Sequence, residues 1–519
     1  MCTLSSKRID FTLLSNVGSV LVQQLTIYGI SLLTFGIIAR LLPPDQMGLY
    51  AIVVSVVSLV SAMANLGIKR FSIRMISAME ALDDKDGRIR LFWTSTILSI
   101  ISITAISGLV TYLLCLFRVF DISNPDLDPI LFYTLLFLYS LKIYISSGLE
   151  GLKLFHRVTV YVSSGFLLYR ILMIYAALMG YGVTGIMAAW CVGEVLSIAM
   201  ILKDTVPRFT PLRFYPNVKE VIINSLPLTA SDTVLAAVDW ADRIVVSIYG
   251  YSEMAIFYIA TTGITFLSAI AQAIYSGTLP HLSQAFHKSN PSHFSHEIRR
   301  IGKYIVLFTL PIYMLALALG QPTIIILVGP RYLSATIIFQ IMAFGLWITA
   351  LNPLLHTALI AAGKSVELMY IMVASLIVDI LFLTTFYPYL GLVSAGIGRA
   401  LFMATSFTLS ILIAQKIIDL DIDISSLLKS MISSTLMALI LIILWTYIRH
   451  ISLFPIYILV GFSIYFGMIR MLKVINIDEV VTLYNSLPSK LKFTTKILCY
   501  LLGIKYEEVI EKINQEVVT

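Results

Sequence analysis

The stretch VDWADRIVVSIYG (238–250) places two acids and an arginine in a run that is otherwise apolar for about thirty residues. Such runs recur along the chain: 58% of the 519 residues are hydrophobic, 13% are charged, and the mean hydropathy is +0.91. A soluble core could not bury this much apolar surface. Because the runs are about twenty residues long and do not alternate, they predict membrane-spanning helices and not a barrel. The predicted fold class is all-α.

The apolar segments predict about fourteen spanning helices, called here predicted helices 1 to 14. They centre near residues 25, 56, 104, 139, 169, 192, 236, 266, 310, 346, 376, 403, 436 and 460. With the N-terminus in the cytoplasm, the outer loops keep only four basic residues, Arg40, Arg118, Arg331 and Arg449, and about seven times as many lie inside. This pattern predicts a multi-pass protein of the cytoplasmic (plasma) membrane with both termini cytoplasmic.

The chain also repeats itself. A shift of 208 residues lays Asn16 on Asn224, Asp45 on Glu253 and Tyr50 on Tyr258. Six predicted helices separate the copies, so the repeats are parallel, an arrangement that in transporters puts the substrate path between two halves. The predicted domains are an N-lobe (1–215, helices 1–6), a C-lobe (216–418, helices 7–12), helices 13 and 14 (419–472) and a cytoplasmic tail (473–519).

Predicted helix 7 carries the densest group of charges, namely Asp232, Asp239, Asp242 and Arg243. At about 100° per residue, Asp232, Asp239 and Arg243 lie within about 40° of one another, and Asp242 lies to one side. Such a stripe is typical of a helix that lines a hydrophilic cavity. The alternative is that Asp239 and Arg243, spaced i,i+4, only neutralise one another.

Polar residues of predicted helix 1 match this stripe through the repeat. The shift of 208 places Gln24 beneath Asp232 and Ser31 beneath Asp239. The predicted polar lining of the cavity therefore comprises Asn16, Gln24, Ser31 and Asn224.

Other predicted helices carry isolated charges, which are expensive in a bilayer and therefore face a cavity or a partner. They are Arg170 in helix 5, Glu194 in helix 6, Asp379 in helix 11 and Arg399 in helix 12. Lys142 in helix 4 lies nearer the inner end and could extend its ammonium to the interface. Asp379 and Arg399 lie at similar depths and could pair. Arginines spread over several helices suit an anionic ligand, because a guanidinium matches phosphate oxygens; structural ion pairs are the alternative.

Several function classes lack their signatures. The four cysteines lie far apart, so neither a disulfide nor a metal site is predicted. No nucleotide-binding loop occurs, and no loop carries a nucleophile and a base. The net charge of +7 is explained by membrane topology, so nucleic acid is not an expected partner.

Two segments resemble a known family. IARLLPPDQMGLYAIVVSV (38–56) and PLTASDTVLAAVDWADRIVVSIYGYSEMAIFYIAT (227–261) are similar to prokaryotic polysaccharide and oligosaccharide flippases, the Wzx-type members of the superfamily that also contains multidrug and toxin extruders and peptidoglycan lipid flippases. The ADR order followed by glycine and an aromatic–tyrosine pair is the most specific part. Ile256 stands where a glycine is common, and Tyr258 is in place.

The resemblance implies two six-helix lobes around a cavity that opens alternately to each side, as in the multidrug extruders, plus two C-terminal helices. It implies a polyisoprenyl-(di)phosphate-linked oligosaccharide as cargo, moved from the inner to the outer leaflet without enzymatic chemistry. The cavity arginines would be Arg170, Arg243 and Arg399. Coupling to a proton or a sodium ion would involve the acidic residues Asp232, Asp239, Asp242, Asp379 and Glu194. Membrane lipids, and polysaccharide polymerases or glycosyltransferases, are the expected partners.

Three other functions stay open. A multidrug exporter of the same fold would move organic cations, and buried arginines count against it. A membrane glycan polymerase or glycosyltransferase would need a sizeable catalytic loop, which the short outer loops do not offer. A scaffold for polysaccharide enzymes would not transport anything.

Overall fold

The computed structural model describes residues 28–116, 127–214, 218–287, 291–418 and 420–474, together with Val481 and Glu511. Every regular element in this part of the chain is helical, which confirms the all-α class. The described residues form two compact units, one within residues 33–258 and one made of the described residues outside that range. We call them the first and the second unit.

Seventeen helices occur in the described residues. They are α1 (Tyr28–Leu41), α2 (Pro44–Ala64), α3 (Ile68–Ala81), α4 (Lys85–Leu116), α5 (Pro129–Gly151), α6 (Phe155–Leu178), α7 (Gly182–Thr205), α8 (Val218–Ser247), α9 (Tyr251–His287), α10 (Pro291–Ala318), α11 (Gly320–Val328), α12 (Ala335–Ile348), α13 (Asn352–Ala361), α14 (Ser365–Leu390), α15 (Val393–Ile417), α16 (Ile424–Ile448) and α17 (Phe454–Met471).

Eleven of these helices are long and apolar enough to cross a membrane, and the pair α12 and α13, bent by 51°, would make a twelfth span. The chain is therefore a multi-pass membrane protein. Predicted helices 2 to 14 all coincide with described helices. However, α1 is described only from Tyr28, and α9 is not among the eleven, so the total of fourteen stays a prediction.

The sequence pattern did not predict the short helices α3 and α11. Helix α2 ends at Ala64, Leu66 and Gly67 then adopt positive φ angles of 42° and 62°, and α3 starts at Ile68. The Nδ2 of Asn65 donates to the carbonyl of Ser61 at 2.8 Å and so satisfies one of the last carbonyls of α2. Hydropathy does not predict α3, because Lys69, Arg70 and Arg74 interrupt the apolar run and make this segment resemble an inner loop.

In the first unit, α6 packs along α7, α5 also contacts α7, and α2 packs on α8. Helix α3 lies against α4, α5 and α8, around a core that includes Phe71, Phe92, Tyr144 and Phe209. In the second unit, α14 packs along α15, and α10 contacts α12 and α16. Helix α17 packs on α16.

Helix starts support the internal repeat. Helices α5, α6 and α7 begin at 129, 155 and 182, and α12, α14 and α15 begin at 335, 365 and 393, a shift of 206 to 211 residues. The lobe boundary at residue 215 stays a prediction, because α8, placed in the C-lobe from sequence, packs with α2 and α3 in the first unit. Most of the predicted tail lies outside the described residues.

Candidate functional site

The starts of the two repeat-related helices α2 and α9 lie against each other within the first unit. Ser252 donates from Oγ to the Oδ1 of Asp45 at 2.9 Å. Gly48 packs directly on the backbone of Tyr251, and any Cβ at this position would overlap the carbonyl of Tyr251. Only glycine permits this approach of the two backbones.

This approach brings the repeat-related tyrosines together. The rings of Tyr50 and Tyr258 lie edge to face, with centroids 6.3 Å apart, and Phe35 packs on Tyr258 at 5.5 Å. All three side chains are buried. Tyr50 and Tyr258, which the 208-residue shift aligned, are therefore in contact with each other.

Arg243 extends from α8 to this pair. Its Cζ lies 4.3 Å from the ring centroid of Trp240 and 5.4 Å from that of Tyr258. Arg243 and the neighbouring Asp242 are both buried, and the Oδ1 of Asp242 accepts the backbone N–H of Arg243 at 2.7 Å. Aromatic faces attract cations, so the rings hold the guanidinium in place.

Arg170 approaches the same tyrosines from α6. Its Cζ lies 5.0 Å from the ring centroid of Phe166 and 5.4 Å from that of Tyr169, and Tyr50 and Tyr258 are among its neighbours. Its Nε has no hydrogen-bond partner, and no carboxylate in the described part of the chain pairs with it. Arg170 is thus a cation without a compensating anion there.

Two glycines set the position of Arg170 relative to α7. A Cβ on Gly193 would lie 2.5 Å from the carbonyl oxygen of Gly165 and 2.6 Å from the Cβ of Tyr169. Helices α6 and α7 are therefore in backbone contact, which is how small residues act between membrane helices. The contact lets the ring of Tyr169 reach Trp190 of α7, at 5.8 Å between centroids.

Glu194 of α7 lies one turn beyond Trp190 and is paired. The Nζ of Lys142 lies 3.0 Å from Oε1 and 2.8 Å from Oε2 of Glu194, and the indole N–H of Trp190 donates to Oε1 at 2.8 Å. The idea that Lys142 extends to the interface is wrong, because its ammonium is held inside the helix bundle, 4.5 Å from the ring of Tyr139.

We call the connected group the aromatic–arginine cluster. Its members come from α2, α6, α8 and α9, and they are Tyr50, Phe166, Tyr169, Arg170, Trp240, Arg243 and Tyr258. The cluster presents two guanidinium groups against aromatic faces in a membrane-spanning unit, which is suited to an anionic ligand that also carries rings or hydroxyls.

The remaining acids of α8 do not share one environment. Asp232 is half-buried and pairs with Arg70 of α3 at 2.7 Å, whereas Asp239 is exposed and Asp242 is buried. Asp242, which the sequence placed to one side of the stripe, is the acid buried beside Arg243, and the cavity-lining role of the stripe stays a prediction. Helical periodicity gives the angle between residues, but the packing of α8 on α2 and α3 decides which side is buried.

Arg399 and Asp379 lie in the second unit. The Nη1 of Arg399 is 3.8 Å from the Oδ2 of Asp379, which is fully buried. The Cζ of Arg399 lies 4.7 Å from the ring centroid of Phe402. The predicted pairing of these two residues is confirmed. Arg399 thus has an anionic neighbour, unlike Arg170.

The predicted polar lining is only partly described. Asn16 and Gln24 lie outside the described residues. Ser31 of α1 is half-buried, and Asn224 of α8 is exposed and donates from Nδ2 to the carbonyl of Glu220 at 2.9 Å.

Sequence reasoning missed the aromatic members and the partners Arg70 and Lys142. One signal was available, because the repeat had already aligned Tyr50 with Tyr258. Trp240 also stands three residues before Arg243, at a spacing that places both on one helix face.

Comparison with known proteins bears on the family and the fold. A family model described as "Polysaccharide biosynthesis protein" matches residues 37–337, more than half of the chain. No curated protein sequence matches the chain significantly.

Solved structures share the fold at low sequence identity. A lipid II flippase MurJ in an inward closed conformation is similar with a TM-score of 0.68 and 15% identity, over 87% of this chain and 97% of that chain. An inward-facing multidrug resistance transporter of the MATE family is similar with a TM-score of 0.61 and 15% identity, over 75% of this chain and 94% of that chain. A MOP superfamily transporter from Pyrococcus furiosus is similar with a TM-score of 0.54 and 16% identity, over 79% of this chain and 95% of that chain.

Proposed function

Because the chain belongs to the polysaccharide biosynthesis protein family, we propose that it is a flippase for a polyisoprenyl-(di)phosphate-linked oligosaccharide. It moves this lipid from the inner to the outer leaflet of the cytoplasmic membrane, and both of its termini are cytoplasmic. The fold shared with a lipid II flippase supports the proposal, because that protein is itself a lipid flippase.

The observation that carries the proposal is Arg170. Inserting an arginine at the centre of a membrane helix costs about 2.5–3.5 kcal/mol on translocon scales, and a structural role would normally be offset by a paired carboxylate. Arg170 has no such carboxylate in the described residues, and its neighbours are aromatic. A phosphate of the cargo is the anion that would complete this environment.

Arg243 and the rings of the aromatic–arginine cluster extend the same site. A diphosphate carries two anionic groups, so a second guanidinium adds charge-assisted hydrogen bonds. The aromatic faces hold the two guanidinium groups in place for this contact. The isoprenoid tail would remain in lipid while the headgroup crosses, and rocking of the two lobes would exchange the open side.

The other functions are less well supported. An organic-cation exporter would use aromatic faces for its cargo, but here two arginine side chains already cover these faces and make the cluster cationic. We propose no enzymatic step. Polysaccharide polymerases and glycosyltransferases are the proposed partners, because they make the lipid-linked glycan or use it.

A gradient would have to supply the free energy of uphill movement. A coupling proton or sodium ion would bind at carboxylates, and the candidates are Asp232, Asp239, Asp242, Asp379 and Glu194.

The test is movement of a fluorescent polyisoprenyl-diphosphate oligosaccharide across vesicles that contain only this protein. Arg170→Ala is compared with Arg331→Ala, which removes an exposed arginine. A charge-assisted contact is worth about 1.5–3 kcal/mol, so Arg170→Ala should slow movement about tenfold or more, and Arg331→Ala should leave it unchanged.

Three outcomes separate the possibilities. Equal rates for both variants would refute the role of Arg170. Failure of the unmodified protein to move any lipid-linked glycan, together with uptake of an organic cation, would favour the exporter. Movement that responds to an imposed sodium or proton gradient would identify the coupling ion.

A further inference from the structure

The carboxylate of Glu194 already has two partners within the chain, a lysine and a tryptophan, and its Oε2, which accepts no hydrogen bond, is contacted by the lysine ammonium. Lys142 approaches both oxygens, at 3.0 and 2.8 Å, and Trp190 donates to Oε1 at 2.8 Å. The side chains of Glu194 and Lys142 are only 1% and 12% exposed. The ammonium therefore lies between the two carboxylate oxygens, where a diffusible monovalent cation would otherwise bind.

The second copy of the repeat makes the corresponding helix contact without charge. The repeat shifts of 206 to 211 residues place Lys142 of α5 and Glu194 of α7 near Asn352 of α13 and Ser406 of α15. There, the Nδ2 of Asn352 donates to the Oγ of Ser406 at 3.2 Å. Packing of these repeat-related helices therefore does not require an ion pair.

We propose that Lys142 is a built-in cation for Glu194, so that no diffusible sodium ion or proton binds at this carboxylate. The proposal therefore removes Glu194 from the candidates for ion coupling and leaves Asp232, Asp239, Asp242 and Asp379. The proposal concerns ion binding alone. It does not depend on the cargo, so its test uses no transport measurement.

Removing Lys142 should leave the carboxylate of Glu194 able to bind another cation. A buried charge that loses its partner is strongly destabilising, and any ion that binds the folded state restores stability. In Lys142→Ala the carboxylate remains and space for a cation is created. The variant should therefore acquire a dependence on sodium or on protons that the unmodified protein lacks at this site.

The experiment measures the thermal unfolding midpoint of the purified full chain in detergent, in sodium chloride and in choline chloride at equal ionic strength. Lys142→Ala should unfold several degrees lower than the unmodified protein in choline at alkaline pH. If the carboxylate binds sodium, sodium chloride should raise the unfolding midpoint of this variant by a few degrees. If it binds a proton, acidification should raise the midpoint in either salt. Lys142→Ala/Glu194→Gln should respond to neither.

A second comparison covers the case in which Lys142→Ala does not fold. Lys142→Met/Glu194→Gln replaces the ion pair with neutral groups of similar size, which folded proteins usually tolerate. The proposal requires the same sodium and acid response in this variant and in the unmodified protein. A larger response in the unmodified protein would overturn it, as would a folded Lys142→Ala that responds to neither ion.

Discussion

The contact between α6 and α7 gives the sharpest stability prediction. Gly193 faces Gly165 and Tyr169, and a Cβ added at Gly193 would lie 2.5 Å from the Gly165 carbonyl oxygen and 2.6 Å from the Tyr169 Cβ. Ordinary contacts begin near 3.4 Å. Gly193→Ala must therefore move the two helices apart by about 0.9 Å, because backbone atoms cannot rotate away as a flexible side chain can.

The expected magnitude follows from overpacking. One extra methyl group in a tightly packed contact costs about 1–3 kcal/mol. Alanine also favours the helix by up to about 1 kcal/mol relative to glycine, which offsets part of this loss. Gly108→Ala in α4 is a matched control, since its nearest neighbour would be Tyr133 at 3.9 Å. It gains the helix preference without the clash.

The assay is thermal unfolding of the two variants in the same detergent, combined with movement of the fluorescent lipid. Gly193→Ala should unfold at a lower temperature than Gly108→Ala, and it should also slow movement, because Tyr169 shifts and Arg170 follows it on the same helix. Equal unfolding temperatures for the two variants would refute the backbone contact between α6 and α7.

Two further predictions concern the described charges. Asp423→Ala should cost about 0.5–2 kcal/mol in unfolding free energy, because Asp423 caps α16 by accepting the N–H and hydroxyl of Ser426 at 3.1 and 2.7 Å. Burial opposes ionisation of Asp423, but these hydrogen bonds lower its pKa below 3.8. Its contribution to the free energy of unfolding should therefore be present above about pH 4 and be lost under more acidic conditions. An unchanged thermal unfolding midpoint in Asp423→Ala would contradict the cap. The side chains of Arg70 and Asp232 are 49% and 21% exposed, respectively, so water weakens their ion pair. A double-mutant cycle with alanine should therefore give a coupling free energy below about 1 kcal/mol. A much larger value would mean that the pair is screened from water.

The sequence by itself determined the class of protein and the positions of most helices. Backbone polar groups have no water partners in lipid, so an apolar run of about twenty residues has to be helical whatever surrounds it. Local chemistry also determined helix starts, as at Asp128, whose side chain accepts the N–H of Ile130 at 2.8 Å, followed by Pro129. The alignment of Tyr50 with Tyr258 was likewise readable, since a repeated layout needs no coordinates.

Only the tertiary structure decided which charges have partners. Lys142 and Glu194 are 52 residues apart, and Asp232 pairs with Arg70 of another helix, so neither pair leaves a periodic signal. Helical periodicity states which residues share a face, but the packing of neighbouring helices decides whether that face is buried. The sequence ranked Arg170 and Arg399 alike as ligand-binding arginines, although it offered Asp379 as a partner for Arg399. Packing separated them, because Asp379 lies beside Arg399, whereas Arg170 lies against the rings of Phe166 and Tyr169.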